Sequence, residues 1–425
     1  MRCSMTCTVT SNRKDREYRD MLLRLYQRAT SPKLGLERMS LLLDAIGLGR
    51  KPRTIQVVGT NGKGSTVAFI ESILQRAGVA TGLFTSPHLC TARERIRLNG
   101  HMISERDFVS AARHVLAKAE KLADNPSFFE CILAMAMWLF DRHNIEIAIL
   151  EAGLGGRLDA TTAVVPDILG VSKIDLDHQH ILGITRAEIA TEKINAARHG
   201  QTVVTVPQEP DVEEAITGAQ ASIKFKLLKT TPCERPLGLF GEHQKSNASL
   251  AIALVKQLPI IISDQVIDQG LVTVNWPGRF ELILGEPNIL LDGAHNPSGI
   301  ASLISGLNEH LILRENPLLL VYGSLAGDNA LAKVELLAQS GLAIRQVMLH
   351  QPENPRALLK EELLSLFNRA GFRKDSVLPF RDWPNTLEAA RAMSLTIVVC
   401  GSLYTVGAIR SKIYGIPQDT KMPSF

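Results

Sequence analysis

The feature that most constrains this chain is a cluster of three glycines, Gly59, Gly62 and Gly64, directly after the apolar run TIQVV at residues 54–58. Glycine weakens strands and helices, so three glycines within six positions indicate a backbone that turns tightly or approaches a ligand closely. Residues 66–78 then have helical periodicity, with a glycine as the stop signal. A strand, a glycine-rich turn and a helix in this order place backbone N–H groups around one point and predict an anion site.

Lys63 lies inside this cluster, and Ser65 and Thr66 follow it. In phosphate-binding loops a lysine contacts the β- and γ-phosphates, and a hydroxyl binds Mg²⁺. The match to G-x-x-x-x-G-K-[ST] is imperfect, because Gly64 separates Lys63 from Ser65. An ordinary turn between a strand and a helix is the alternative, but the strand before and the helix after favour phosphate binding.

Short apolar runs alternate with helical patterns along the chain. VATGLF, IEIAIL, DILGV and TVVTV are strand candidates, and a second series of strands and helices begins after residue 275. Such alternation is typical of a parallel sheet covered by helices. We predict an α/β fold, with a P-loop-containing, mostly parallel sheet domain at 1–275 and a smaller Rossmann-like α/β domain at 276–425. Pro277 and Gly278 mark the boundary, and the first dozen residues are expected to form a disordered arm.

Composition excludes several classes of protein. The 425 residues carry a net charge of +4 without a block of basic residues, which argues against a nucleic-acid surface. The apolar stretch CILAMAMWLF is too short to span a bilayer and predicts a buried helix, and the N-terminus lacks the apolar segment of a signal peptide. Six cysteines without a CxxC pair indicate reduced thiols. We therefore expect a cytoplasmic monomer without nucleic-acid or membrane partners.

Other polar groups follow predicted strands, where ligands of open parallel sheets bind. Glu151 ends one strand and could hold Mg²⁺, although a helix-capping acid is the alternative. Asp177 and His178 follow the segment SKID, which has two interpretations: ligands at a strand end, or the [NT]-K-x-D guanine motif of a GTPase switch. Asp292, His295 and Asn296 follow a strand of the second series and could bind a ligand or cap a loop.

Taken together, the motifs resemble the folylpolyglutamate synthase and dihydrofolate synthase family of the Mur-ligase superfamily. The resemblance extends from residue 34 to residue 407. The segments that carry it, in order, are LGLER, GTNGKGS, TSPHL, ERI, EAGLGGRLDAT, LDHQ, LG, EK, NA, PGRFE, DGAHNP and VVCGSLYTVG. In this family GTNGKGS is itself the phosphate loop, so Gly64 belongs to the motif.

The resemblance implies a role for particular residues. The implied ATP-binding residues are Gly62, Lys63, Gly64, Ser65, Asn247, Arg279 and Asp292. The implied Mg²⁺ ligands are Ser86, Glu151 and His178. Lys193 matches a lysine that carries a carbamate, and it joins Lys63 and His178 as an implied catalytic residue. The implied substrate-binding residues are Ser127, Leu158, Asp159 and Ala160.

The implied activity is ATP-dependent addition of L-glutamate to dihydropteroate, to folates, or to both, through an acyl phosphate. The chain departs from the family pattern at Ser127, at Thr162, at the segment EKIN and at GSLAGDN, which replaces a more charged segment at residues 323–329. A monofunctional member of the family, another Mur-type amino-acid ligase and the GTPase switch are the alternatives. Only 58 residues precede Gly59, which disfavours a muramyl-peptide ligase, because those enzymes carry an extra N-terminal domain.

Overall fold

The structure is a computed structural model that describes residues 6–28, 35–314, 316–327 and 329–419. Two sheets organise the chain. The strands of the first sheet are β1 (Arg53–Val58), β2 (Thr81–Phe84), β3 (Ile96–Leu98), β4 (His101–Met102), β5 (Ile147–Glu151), β6 (Ile168–Val171), β7 (Thr202–Thr205) and β8 (Lys226–Lys229). Their order is β4-β3-β2-β5-β1-β6-β7-β8. All neighbours are parallel except β2–β3 and β3–β4, which form an antiparallel edge.

Helices cover both faces of this sheet. They are α1 (Thr6–Tyr26), α2 (Glu37–Ile46), α3 (Lys63–Arg76), α4 (Glu105–Ala119), α5 (Phe128–Arg142), α6 (Ala160–Ala163), α7 (Gln179–Leu182), α8 (Arg186–Ile194), α9 (Pro210–Ile223), α10 (His243–Val255) and α11 (Asp264–Thr273). Along β5, Ala148 and Leu150 belong to a core with α1, α2, α4 and α5, whereas Ile147 and Ile149 belong to a core with α3, α10 and α11. This alternation explains why β5 is apolar throughout.

The second sheet lies wholly in the later part of the chain. Its strands are β9 (Glu281–Ile283), β10 (Ile289–Leu291), β11 (Leu318–Tyr322), β12 (Ile344–Leu349), β13 (Val377–Pro379) and β14 (Thr396–Cys400). Their order is β13-β12-β11-β14-β10-β9, and only β9–β10 is antiparallel. The helices of this unit are α12 (Pro297–Glu309), α13 (Ala330–Gln339), α14 (Lys360–Arg369), α15 (Trp383–Ala392) and α16 (Leu403–Tyr414). The predicted fold class, a mostly parallel sheet followed by a smaller α/β unit, is confirmed.

The N-terminal segment departs from expectation. The predicted disordered arm is wrong from Thr6 onward, because α1 begins there, whereas residues 1–5 lie outside the described residues. Tyr18, Leu22 and Leu25 of α1 are buried in the first core. Because this packed segment is already helical, adding residues at its N-terminal end costs less free energy than starting a new helix, so the helix extends to Thr6. The segment CILAMAMWLF is the predicted buried helix, within α5, and no helix in the described part of the chain is long and apolar enough to cross a membrane.

The two sheets are linked by contacts that are distant in sequence. Near the C-terminus, the Asp419 backbone N–H donates to the Cys90 carbonyl at 2.9 Å. The Asp419 carboxylate accepts from the Tyr18 hydroxyl at 3.1 Å and from the Ala92 backbone N–H at 2.6 Å. Asp419, which follows the last helix of the second sheet's unit, therefore contacts both α1 and the loop after β2 of the first.

Candidate active site

Loops at the carboxyl ends of both sheets enclose a cavity of about 830 Å³. The loops after β1, β5 and β6 line it from the first sheet, and those after β10, β11 and β14 line it from the second. The sequence-predicted site residues all line this cavity. They are Gly62, Lys63, Gly64, Ser65, Ser86, Ser127, Glu151, Leu158, Asp159, Ala160, His178, Lys193, Asn247, Arg279 and Asp292.

The glycines of the loop after β1 are required by close packing. Gly59 has φ of 144°, and a Cβ there would lie 2.0 Å from the Ser172 hydroxyl oxygen. Gly62 has φ of 88°, and its Cβ would lie 2.1 Å from Oδ1 of Asn247 on α10. Any larger residue at either position would be strained and would also clash, so the loop shape depends on glycine.

The loop delivers the N-terminus of α3 to the cavity. The first N–H groups of a helix have no partner within the helix and favour anions. At this end lies Lys63, whose Nζ donates to the carbonyls of Gly59 and Thr60, both at 3.0 Å. The ammonium is thus held over its own loop, where its hydrogen bond to a carbonyl could be replaced by one to a phosphate oxygen. This arrangement fits the phosphate site expected from the sequence.

A buried carboxylate lies beside the loop. Glu151 accepts from the Ser86 backbone N–H through Oε2 at 3.2 Å, and no hydrogen bond to its Oε1 is found among the described residues. Burial raises the pKa of Glu151, and the positive charge of Lys63 counteracts this. Buried Arg95 donates to the Ser86 hydroxyl at 3.0 Å and to Nδ1 of His88 at 2.8 Å. Arg95, which the sequence did not single out, therefore orients Ser86.

Ser86, Glu151 and His178 are the side chains that would hold a cation here. Glu151 and Ser86 offer oxygen atoms, the donors that Mg²⁺ prefers, and they are joined by a hydrogen bond. The third predicted ligand is an imidazole, a less usual Mg²⁺ donor. Among the described residues, no group of three His, Cys, Asp or Glu side chains forms a metal site. The predicted set needs only two such side chains, and its oxygen donors fit Mg²⁺.

His178 lies at the N-terminus of α7 with φ of 49°. Burial, reinforced by His295 and by Lys63, lowers its pKa to about 4, against the opposing effect of Asp177. The imidazole is therefore neutral near pH 7 and has a lone pair free to bind a cation or a proton. Its neighbour Asp177 accepts a hydrogen bond from Asn296 Nδ2 at 3.3 Å. The loop after β6 thus contacts the second sheet's unit directly.

Lys193, near the end of α8, is buried and faces the cavity. Burial, followed by the charge of Lys63, lowers its pKa from 10.5 to about 7. No hydrogen bond from its Nζ is found within the described ranges. Gly156 packs against its backbone, where a Cβ would lie 2.4 Å from the Lys193 carbonyl oxygen. A partly neutral amine with no partner is suited to react with an electrophile.

Arg279 and Asp292 lie where the chain enters the second sheet. Both oxygens of the Asp292 carboxylate accept backbone hydrogen bonds at 2.8 Å, Oδ2 from Phe280 and Oδ1 from Ala294. Arg279 donates to the Gly278 carbonyl and lowers the pKa of Glu151 through its charge. Asp292 therefore shapes the connection between the sheets, while Arg279 contributes positive charge to the cavity.

At the start of α5, the Ser127 hydroxyl accepts from the backbone N–H of Glu130 at 3.3 Å. The Glu130 carboxylate in turn accepts from the backbone N–H of Ser127 at 2.7 Å. This reciprocal pair is a capping box. Arg38 on α2 contacts Glu130 at 2.9 Å and also lines the cavity. The Ser127 hydroxyl is thus engaged in a cap. Arg38, the last residue of the segment LGLER, is a charged cavity residue to which the sequence assigned no role.

The run Leu158-Asp159-Ala160 precedes α6. One oxygen of the Asp159 carboxylate accepts from the backbone N–H groups of Gly153 and Leu154, at 2.9 and 3.0 Å, and the other accepts from Thr161 N at 2.9 Å. Asp159 is therefore committed to shaping the loop after β5. Leu158 and Ala160 present apolar surface to the cavity instead.

The segment SKID contacts the loop after β1 through backbone hydrogen bonds. The Lys173 carbonyl accepts from the N–H groups of Thr60 and Asn61, at 2.9 and 3.1 Å. The Lys173 ammonium pairs with Glu209 at 3.0 Å, and the Ser172 hydroxyl donates to the Val58 carbonyl. These contacts support a structural role for the segment.

No protein-family model matches the chain. It is 32% identical over 422 residues to the Halobacterium salinarum protein named probable bifunctional folylpolyglutamate synthase/dihydropteroate synthase, with 91% of this chain and 50% of that protein covered. It is 31% identical over 423 residues to dihydrofolate synthase/folylpolyglutamate synthase of Bacillus subtilis, with 90% and 95% covered. The structure of E. coli FolC in complex with DHPP and ADP matches with a TM-score of 0.83 at 27% identity, with 94% and 98% covered. The chain thus spans about half of the halobacterial relative and nearly all of the other two.

Proposed function

The chain belongs to the dihydrofolate synthase/folylpolyglutamate synthase family of ATP-dependent ligases, and we propose that it joins L-glutamate to dihydropteroate, to tetrahydrofolate, or to both. The resemblance drawn from the sequence is thereby confirmed at the level of the family. The GTPase switch and a muramyl-peptide ligase are set aside. The proposal includes an enzyme that uses both acceptors and one that uses a single acceptor, and turnover with each acceptor distinguishes the two.

One observation carries this proposal: the residues matched to the family motifs, though spread over 231 positions from Gly62 to Asp292, surround one cavity. The phosphate loop, the buried carboxylate and the low-pKa lysine meet there. We propose that the first sheet's unit, residues 1–275, binds the nucleotide, and that residues 276–425 complete the site. Because one chain lines the cavity from both sheets, a monomer suffices.

For the nucleotide, we propose that the α3 N-terminus and Lys63 hold the phosphates. Gly62, Gly64 and Ser65 supply backbone N–H groups at this helix end. Asn247 fixes Gly62 by contact, and Arg279 adds positive charge to the same side of the cavity. ADP in the E. coli relative is consistent with an adenine nucleotide here.

We propose that Mg²⁺ is held by Ser86, Glu151 and His178. The free Oε1 of Glu151, the hydroxyl positioned by Arg95 and the neutral imidazole of His178 support this set. When bound, the ion would supply positive charge that offsets the charge on the phosphate oxygens. The chain's own contribution is to keep these donors oriented before the nucleotide enters.

The reaction we propose has two steps. A substrate carboxylate oxygen forms a bond to the γ-phosphorus of ATP, and the bond from that phosphorus to the ADP oxygen breaks. The glutamate amine, after losing a proton, then forms a bond to the acyl carbon, and phosphate leaves with the former carboxylate oxygen. Lys63 balances the charge of the transferred group, and the enclosing second unit excludes water from the reactive acyl phosphate.

We further propose that Lys193 carries a carbamate. Its neutral amine would form a bond to the carbon of CO₂ with release of a proton. The lowered pKa and the absence of a described partner for Nζ support this step, because only an unprotonated amine is nucleophilic. The carbamate would place an anion beside the proposed cation site.

We propose that the pteridine portion of the substrate lies near Ser127 and the loop of Leu158, Asp159 and Ala160. The apolar surface of Leu158 and Ala160 supports this placement, since flat heteroaromatic rings pack on such walls. The four described cysteines are free thiols, which supports a cytoplasmic location.

The test measures ADP release with ATP, Mg²⁺ and L-glutamate, in parallel reactions that contain dihydropteroate or tetrahydrofolate. Mass spectrometry of the products identifies each added glutamate. Turnover with one acceptor or with both defines the activity within the proposal. If neither acceptor gives glutamate-dependent ADP release, the proposed function is wrong.

A further inference from the structure

The second sheet's side of the cavity carries a buried lysine that the steps above do not use. Lys333, on α13, is 6% exposed and lines the cavity. Its Nζ donates to the Ser324 hydroxyl at 2.7 Å, at the carboxyl end of β11. No carboxylate lies within 4.0 Å of this ammonium in the part of the chain that the structure describes. A buried cation whose one recorded partner is a hydroxyl is incompletely compensated.

The charge of Asp177, on the first sheet's side of the cavity, acts on Lys333, but no carboxylate of the described residues pairs with its ammonium. Asn354 lines the same wall, and its buried Nδ2 has no well-aligned hydrogen bond among the described residues, although the side chain lies beside the Tyr404 hydroxyl. The loops that carry Ser324 and Asn354 are joined, because the Ala326 N–H donates to the Arg356 carbonyl at 2.7 Å. The acid on this side, Asp292, uses both oxygens to accept backbone bonds. The wall is therefore built to accept an anion.

We propose that Lys333 binds a carboxylate of the incoming L-glutamate. This inference rests on the proposed function, since it names the residue that holds the amino-acid substrate. The phosphate loop and the proposed pteridine site belong to the first sheet's unit and Lys333 to the second's, so the first unit would hold ATP and the pterin substrate and the second would hold glutamate. Glutamate carries two carboxylates, and either one could supply the negative charge that the Lys333 ammonium lacks.

The location also accounts for a departure in sequence. Segment 323–329, GSLAGDN, replaces a more charged segment of the family and directly precedes α13. Gly327 has open space around its Cα and introduces no charge, whereas Lys333 extends from the next helix to Ser324 of that segment. Lys333 on α13 therefore provides positive charge at this wall of the cavity.

The experiment compares Lys333→Met with wild type and with Lys374→Met, an exposed lysine outside the cavity. We expect Lys333→Met to raise the KM for glutamate about 10- to 100-fold, the loss typical of a charged hydrogen bond, without changing the KM for ATP. Lys374→Met should change neither. An unchanged glutamate KM, or an equal rise in the KM for ATP, overturns the proposal, the latter because it would mark a phosphate contact.

Hydroxylamine separates this inference from the proposed function. It is a neutral nucleophile without carboxylates, so Lys333→Met should form hydroxamate from ATP and the pterin acid at the wild-type rate. Loss of hydroxamate in Lys333→Met overturns the glutamate contact. Absence of hydroxamate with the wild type would instead contradict the proposed activation step itself.

Two further measurements keep the proposal falsifiable if Lys333→Met does not fold. Ser324→Asp retains the lysine but adds an internal carboxylate beside it, and should also raise the glutamate KM. Glutamine and isoglutamine, as competitive inhibitors against glutamate, each lack one carboxylate. The analogue without the carboxylate held by Lys333 should bind the wild type and Ser324→Asp with the same affinity. If both analogues lose affinity as glutamate does, or if Ser324→Asp has no effect, the proposal is wrong.

Discussion

Asn296 and Asp177 join the two sheets beside the phosphate loop. Asn296 Nδ2 donates to Asp177 Oδ2 at 3.3 Å and to Asn61 Oδ1, within the loop, at 2.9 Å. The same side chain caps α12, because its Oδ1 accepts from the Gly299 N–H at 2.8 Å. One residue therefore sets the start of a helix in the second unit and contacts the loop after β1 in the first. The position of the second unit and the geometry of the phosphate loop are coupled through this contact.

Substitution of Asn296 should separate its two roles. Asn296→Ala loses the cap and the contact, and we expect a loss of about 1 kcal/mol in unfolding free energy together with lower activity. Asn296→Asp keeps a capping oxygen but places a second carboxylate against Asp177, so the cap is kept while charge repulsion breaks the contact, and we expect kcat/KM to fall about tenfold or more. Denaturant unfolding and ADP release are measured for both. The cap-only control is Asp382→Ala, which removes the exposed cap of α15. Full activity in Asn296→Asp would contradict the coupling.

Lys63→Ala tests the phosphate loop. The ammonium contacts only loop carbonyls among the described residues, so its loss should leave the melting temperature nearly unchanged. Loss of one charge contact to a transition state typically lowers the rate about 10²-fold or more, and we expect that decrease in kcat. Lys229→Ala, at a surface ion pair with Glu213 outside the cavity, is the matched control. Near-normal turnover with an unchanged melting temperature would refute the assignment of Lys63.

Gly62→Ala and Gly78→Ala form a matched pair, because both glycines have positive φ, 88° and 74°. Each alanine should cost about 1 kcal/mol of stability through its backbone conformation. At Gly62 the added Cβ also meets the Asn247 side chain, whereas at Gly78 nothing lies within 4 Å. We therefore expect loss of nucleotide affinity in Gly62→Ala alone, measured by calorimetric titration with ADP. Equal affinities in the two variants would show that the loop tolerates displacement.

Lys193 should make stability depend on pH. Its folded-state pKa of about 7 lies below the ordinary value of 10.5, so the unfolded chain binds the proton more tightly. Unfolding free energy should therefore rise from pH 7 toward pH 10, by about 1 kcal/mol per pH unit at most. When both proteins are measured in CO₂-depleted buffer, the rise should be smaller in Lys193→Met than in the wild type. A pH profile that is the same in both proteins would contradict the lowered pKa.

The same lysine tests the carbamate. Lys193→Ala should be nearly inactive and partly rescued by a short carboxylate in solution, because the anion can occupy the vacated space. Lys193→Arg should not be rescued, since the guanidinium fills that space and stays charged. Full activity in Lys193→Ala would remove the carbamate from the mechanism.

The sequence predicted best where local chemistry decides the structure. The strand, the glycine loop and α3 followed from glycines that local geometry requires, and β5 from an apolar run buried on both faces. The strands β3, β4, β8, β9 and β13, at or next to the edges of the two sheets, were missed, because two to four residues carry too little periodicity to distinguish a strand.

Roles that depend on distant contacts could not be predicted in this way. Asn296 meets Asp177 across 119 residues of sequence, and Asn296 also contacts Asn61 across 235 residues. Asp159 looked available to a substrate, but its carboxylate is occupied by the N–H groups of its own loop. Lys333 has no motif around it, and only burial against the cavity distinguishes it from other helical lysines.

The most direct test of the central claim follows an oxygen atom. Pterin substrate labelled with ¹⁸O in the reacting carboxylate is incubated with ATP, Mg²⁺, L-glutamate and the enzyme, and the released phosphate is analysed by mass spectrometry. Activation through an acyl phosphate predicts that each phosphate carries one ¹⁸O atom when both carboxylate oxygens are labelled. Glutamate-dependent ADP release with unlabelled phosphate would contradict the account.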